Sequence, residues 1–244
     1  MKTAYFWLTP QGKQLAEQLQ AHFGGTVEPK ADFAEAVRRA FADCDALVFV
    51  MATGIVVRTI APLVQSKASD PAVLVLDQRG KHVISLLSGH LGGANAMAEQ
   101  AAAYLGGEAV ITTATDVEHV PAFDLFAKEN HLTIENLEEL KYISGALVAG
   151  EPVSLCTAFP VEKNAFPETV QLQPFSETPR HACAVAIADT TESVTAPHVL
   201  YLRPKSLVLG VGCKKQIPPA HLEQCFRTFL QEHHLSLSAV EKLA

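Results

Sequence analysis

Hydrophobic and polar positions along the chain alternate between two periods. Residues 3–8 (TAYFWL) form a short β-prone run, and Thr9-Pro-Gln-Gly12 interrupts it. Over residues 12–23, Leu15, Leu19 and Phe23 recur at helical spacing. Asp32 stands as the N-cap of a helix carrying Phe33, Val37 and Phe41. Residues 46–51 (ALVFVM) and 72–76 (AVLVL) are continuous apolar runs, the mark of strands buried on both faces. A turn at residues 52–54 leads into a helical stretch over 55–63. Residues 77–80 (DQRG) form a turn before a strand at 83–87, an Ala-rich helix over 89–105 and a strand at 109–113.

This alternation predicts an α/β fold: a mainly parallel, Rossmann-like sheet with flanking helices over residues 1–120. The second half is less regular. A helix is expected over 134–148 and strands at 152–157 and 182–187, with Pro160, Pro167, Pro174 and Pro179 as punctuation. These suggest a smaller α/β middle domain, 121–204. Residues 206–213 (SLVLGVGC) read as a strand ending in a Gly-x-Gly turn, and a helix follows from Pro219 to about His233. Residues 205–244 then resemble a fragment of a third α/β domain.

Composition narrows the functional classes. The 244 residues are 48% hydrophobic and 18% charged, an ordinary globular balance. The net charge of −7 argues against nucleic-acid binding, which depends on neutralising phosphates. It leaves small anions open, because backbone N–H groups supply local positive potential. The five cysteines contain no CxxC pair, which fits reduced thiols in a cytoplasmic protein. No apolar segment is long enough to suggest a membrane span, and the apolar run at the N-terminus is too short for a signal peptide.

In an open α/β sheet, ligands gather where strands give way to helices. Three such loops carry chemistry. Ser88-Gly-His-Leu-Gly-Gly-Ala-Asn95 combines glycines, which allow close backbone approach, with a helix entrance and His90, a candidate general base. The competing role for Gly92 and Gly93 is helix–strand packing, with His90 as a cap. Met51-Ala-Thr-Gly54 offers Thr53 and Gly54, and Arg58 follows as a carboxylate clamp or as a solvated surface arginine. Thr112-Thr-Ala-Thr-Asp116 offers Thr113 and Asp116 for orienting a base or binding substrate, or for turn chemistry alone. Arg79, Lys81 and His82 read as a solvated turn. Gly210-Val-Gly-Cys-Lys-Lys215 is a weak signal, and no base can be named for Cys213. The remaining histidines show no metal-ligand spacing.

Three motifs in order, ALVFVMATGIVVRTIAPLV, DPAVLVLDQRGKHVISLLSGHLGGAN and VITTATD, closely resemble the N-terminal domain of the CbiG family, cobalt-precorrin-5A hydrolases of anaerobic cobalamin (vitamin B12) biosynthesis. TPQGKQLAEQL resembles the family's first βα unit and LVLGVGCKK the start of its C-terminal domain. Only the first βα unit of that domain is matched, so the chain is expected to be a fragment or a naturally short member. The resemblance implies opening of the δ-lactone formed by the ring A acetate and C20, with loss of acetaldehyde to give cobalt-precorrin-5B. It also implies a cobalt-corrinoid substrate, no cofactor other than the cobalt carried by that substrate, and no nucleic-acid or membrane partner. A homodimer and neighbouring pathway enzymes are the candidate protein partners. Under this reading His90 is the base, and Asp116 orients it or water. Gly92 and Gly93 donate N–H groups. Ser88, Gly89, Asn95, Thr53, Gly54, Arg58 and Thr113 contact substrate. The alternatives are a non-catalytic corrinoid-binding protein and an unrelated anion-binding α/β module.

Overall fold

A computed structural model of the chain describes residues 1–66, 69–162, 166–214 and 216–244. Lys215, the last residue of the expected Gly-x-Gly turn, lies outside the described residues. The chain divides into two compact units, Met1–Val117 and Glu118–Ala244.

The first unit runs β1 (Thr3–Trp7), α1 (Pro10–Phe23), β2 (Thr26–Val27), α2 (Phe33–Asp43), β3 (Ala46–Val50), α3 (Thr53–Ile60), β4 (Ala72–Leu76), β5 (His82–Leu87), α4 (Ala94–Leu105), β6 (Glu108–Val110) and α5 (Ala114–Val117). Its six strands lie in the order β2-β1-β3-β4-β5-β6. Both faces are covered, which is why β3 and β4 read as unbroken apolar runs. Tyr5, Val48, Leu74 and Leu76 pack on one side with Leu15, Leu19 and Ala98. Phe6, Leu47, Phe49 and Val75 pack on the other with Val37, Val56 and Ile60. Phe6 stacks on Phe49 at 4.9 Å between ring centres.

Neighbouring strands pair in parallel, with one exception: β5 runs antiparallel to β4. The turn at residues 77–80 is too short for a crossover, so the chain folds straight back as a hairpin. Asp77 secures that turn by accepting from the N–H groups of Arg79 (2.9 Å) and His82 (2.7 Å).

Local boundaries differ where capping departs from the expected chemistry. Asp32 does occupy the N-cap of α2, but in a left-handed conformation (φ 54°) and without a side-chain capping bond. Helix α3 begins at Thr53, earlier than periodicity suggests. Helix α4 begins at Ala94 and not near Gly89, because Gly93 holds φ 88° and residues 88–93 form a loop.

The second unit contains α6 (Phe123–Glu129), β7 (Leu132–Ile134), α7 (Leu140–Val148), β8 (Val153–Thr157), β9 (Val170–Pro174), β10 (Cys183–Ile187), β11 (His198–Pro204), β12 (Leu207–Leu209), α8 (Pro219–Glu232) and β13 (Val240–Leu243). Its main sheet has the order β7-β11-β10-β8-β9, parallel except for β7 on β11. Ile143, Leu147, Leu155, Val185 and Leu200 fill its core. Strands β12 and β13 form a separate parallel pair. The expected helix over 134–148 is a strand end, a 3₁₀ turn and then α7. Arg203, 3% exposed, is a polar hub. It donates to Glu135 Oε2 (2.8 Å) and to the carbonyls of Ala188 (3.1 Å) and Thr190 (2.5 Å), while Ser236 donates to Glu135 Oε1 (2.5 Å). No described helix is long and apolar enough to cross a membrane.

Candidate active site

Because β6 runs parallel to β5, residues 88–95 and 112–116 leave the sheet at the same end, beside the start of β4. There the two loops meet. His90 Nε2 lies 2.7 Å from Asp116 Oδ2, with the side chains 12% and 35% exposed respectively. Asn95 Nδ2 donates to Asp116 Oδ2 (3.1 Å) and to Thr113 Oγ1 (3.2 Å). Ser85 Oγ donates to Asn95 Oδ1 (2.6 Å). Thr115 Oγ1 stands 3.5 Å from His90 Nε2, at the outer limit of hydrogen bonding.

The loop is held in an unusual backbone shape. Ser88 adopts φ 59°, a left-handed conformation that is uncommon for a residue with a side chain, and its hydroxyl donates to the Asp70 carbonyl (2.9 Å). A Cβ on Gly92 would fall 2.4 Å from Ser88 Cβ and 2.7 Å from the Ser88 carbonyl oxygen. A Cβ on Gly89 would fall 2.7 Å from Asn95 Oδ1. Glycine at these positions therefore permits close approach within the loop itself.

Several expected substrate contacts are committed inside the protein. Asn95, 6% exposed, has both ends of its amide bonded, Thr113 accepts from it, and Ser88 ties the loop to Asp70. The Gly93 N–H donates to the His90 carbonyl (3.0 Å), and the N–H groups of Ala94 and Asn95 donate to the Ser88 and Gly89 carbonyls. The helix entrance thus caps itself on its own loop. Among the described residues Gly92 N–H has no acceptor, so it alone of the two expected glycine donors is available.

Thr53, Gly54 and Arg58 do not join this cluster. They follow the carboxyl end of β3, and the reversal of β5 puts His90 at the opposite end of the sheet. The separation is the length of β4, about 13–17 Å at about 3.3 Å per residue. There Thr53 borders a separate cleft of about 700 Å³, whose lining also includes Leu8, Met51, Leu76 and Gln78. Arg58 is exposed, and its guanidinium lies over Gly54.

Other chemistry-bearing residues stand apart. Arg79, Lys81 and His82 are exposed on the hairpin turn. Burial pushes the Asp77 carboxyl up, but backbone N–H groups of His82, Arg79 and Lys81 outweigh it and hold the group below its usual range. Cys213 is exposed, while burial raises the Cys156 thiol to about 11 and makes it inert at neutral pH. Among the described residues no group of three or more His, Cys, Asp or Glu side chains could hold a metal. Sequence reasoning missed Ser85 and Thr115. Ser85 had a visible signal, a hydroxyl inside the apolar run HVISLL.

Comparison with known proteins bears on this arrangement. Residues 35–116 match the family model for the cobalamin synthesis G N-terminal domain, and residues 121–204 match the cobalamin biosynthesis central region. The chain belongs to the CbiG family. A cobalt-precorrin-5A hydrolase from Salmonella typhimurium is 37% identical over 235 residues, spanning 88% of this chain and 66% of that protein. One from Priestia megaterium is 34% identical over 211 residues, spanning 81% of this chain and 56% of that protein. The chain therefore spans just under two thirds and somewhat over half of these relatives. The crystal structure of a cobalamin biosynthesis protein G homologue from Sulfolobus solfataricus shares the fold, with a TM-score of 0.50 and 24% identity over 99% of this chain and 73% of that one. The CbiG N-terminal match encloses both loops of the His90 cluster and also Thr53, Gly54 and Arg58.

Proposed function

We propose that the His90–Asp116 dyad performs the hydrolytic step named for the curated relatives, opening the lactone of cobalt-precorrin-5A. The observation that carries this is the 2.7 Å contact between His90 Nε2 and Asp116 Oδ2, made by two loops that sequence places 26 residues apart. A carboxylate can only accept, so Nε2 bears the proton and the basic lone pair sits on Nδ1. The imidazole takes a proton from water as the oxygen adds to the lactone carbonyl, and Asp116 stabilises the imidazolium that forms. The Gly92 N–H is the donor for the oxyanion. Breaking the acyl C–O bond yields a carboxylate and a hydroxyl on C20. Loss of that hydroxyl proton, with cleavage of the bond from C20 to the ring, releases acetaldehyde and leaves the electron pair on the macrocycle. Water is the nucleophile and cobalt arrives within the substrate, so the proposal calls for no resident cofactor.

The test is acetaldehyde release from cobalt-precorrin-5A by the chain and by His90→Ala. A loss of about 10²–10⁴ in kcat is expected, the usual contribution of a positioned general base. Near-normal kcat in the variant would remove His90 from the role. Corrinoid binding by the unmodified chain without any turnover would favour the non-catalytic alternative.

A further inference from the structure

Two members of the cluster, Ser85 and Asn95, have no direct role in the chemistry above. Ser85 sits mid-strand on β5, and Asn95 is the second residue of α4. An amide oxygen accepts only, so the 2.6 Å contact requires Ser85 Oγ to donate to Asn95 Oδ1. The Asp116 carboxylate, which only accepts, selects one of the two near-isosteric amide orientations, and Ser85 Oγ, able to donate or accept, meets the oxygen of that orientation. In the selected one, both Nδ2 hydrogens face acceptors, Thr113 Oγ1 and Asp116 Oδ2. The flipped amide would set an oxygen against the Asp116 carboxylate. Oδ2 of Asp116 is also the atom that meets His90 Nε2, so one oxygen receives from the amide and from the imidazole.

The supporting elements differ in rigidity. Asp116 belongs to α5, a single turn of four residues, whereas Ser85 and Asn95 belong to a central sheet and a 12-residue helix. Gly89 leaves the space in which the Asn95 amide lies.

We propose that Ser85 and Asn95 form a positioning pair that transmits the rigidity of β5 and α4 to Asp116, and so fixes the orientation and basicity of His90. Neither residue touches substrate. The amide and the imidazole share one Asp116 oxygen, so loss of either donor changes the charge that the other meets. This inference rests on the His90–Asp116 dyad being the hydrolytic centre, but its principal readout does not depend on turnover.

The experiment combines imidazole ¹⁵N NMR titration of the full chain with steady-state kinetics on cobalt-precorrin-5A. His90→Gln assigns the resonance. Ser85→Ala should raise the His90 midpoint by about half a unit, because Asp116 loses an anchored donor. It should lower kcat about 3–10-fold with KM little changed, and Ser85→Thr should restore both values. Asn95→Asp keeps the shape and the Ser85 bond but turns a donor into an acceptor. It should raise the midpoint by about one unit or more through like-charge pairing at the dyad. An unchanged His90 midpoint in both Ser85→Ala and Asn95→Asp overturns the proposal. So does a rise in KM with intact kcat in Asn95→Asp, which would make Asn95 a substrate contact. If the unmodified chain releases no acetaldehyde, the hydrolytic reading fails, while the NMR shifts still decide whether the pair governs His90.

Discussion

Replacing Gly92 by alanine separates two consequences that most loop substitutions mix. The added Cβ would lie 2.4 Å from Ser88 Cβ, where carbon contacts settle at about 3.5–4.0 Å. More than an ångström must be found. Ser88 resists, because its hydroxyl is bonded to the Asp70 carbonyl and its carbonyl accepts from Ala94 N–H. The residues between Ser88 and Gly92 must therefore shift, and His90 is one of them. Overpacking of this kind costs about 1–3 kcal/mol of stability. A catalytic group displaced by about 1 Å loses about 10²-fold in rate. Gly106 supplies the control. It caps α4 at φ 68° with nothing within 4 Å of its Cβ position, so alanine there strains the backbone without moving the loop. The cost of that strain is about 1–2 kcal/mol. Thermal melts and acetaldehyde release on both variants give the comparison. The two proteins should lose comparable stability, and only Gly92→Ala should lose most of its kcat. Equal kcat in the two variants at 20 °C would refute the argument that close packing of the loop sets the position of His90.

Asp116→Asn should retain the amide contact to Asn95 yet lower kcat by about 10²-fold or more, measured by the same assay, since a neutral amide cannot stabilise the imidazolium. Arg203→Met should destabilise the second unit by about 2–4 kcal/mol in urea melts, because it strands the partly buried Glu135 carboxylate and two backbone carbonyls. Acid should weaken the same unit. Burial pushes the Glu135 carboxyl up, but hydrogen bonds from Ser236 and Arg203 and the Arg203 charge outweigh it and hold the group below its usual range. That contribution is fully present above the unfolded pKa of about 4.3 and is lost as pH falls through the lower folded value. Urea midpoints taken from pH 6 down to pH 3 should show this loss in the unmodified chain and much less of it in Arg203→Met.

The strands β3 and β4 could be read directly, because burial on both faces leaves no polar residue to interrupt ALVFV or AVLVL. Strand direction could not. Apolar patterning is the same whichever way a strand runs, and the reversal at β5 depends on a turn closed by Asp77. The three chemical loops were consequently expected at neighbouring strand ends, and the fold brings only two of them together. Strands β9 and β11 escaped notice because VQLQP and HVLYLRP each end in proline and lie among other prolines that read as loop. The meeting of His90 with Asp116 was legible as a candidate pairing. The burial of Asn95 was not, because it follows a glycine loop at the head of an Ala-rich helix and gives no periodic sign of facing inward.

The hairpin between β4 and β5 has a consequence for how substitutions combine. Thr53 and the loop holding His90 lie at opposite ends of β4 and share no hydrogen-bond partner among those described. Changes more than about 7–10 Å apart usually add in free energy. One end of the sheet is therefore open to alteration in shape or charge without altering the other, and Thr53→Val combined with Ser85→Ala should give a stability change equal to the sum of the single changes. In this way a four-residue turn makes the first unit two independently adjustable surfaces on one frame.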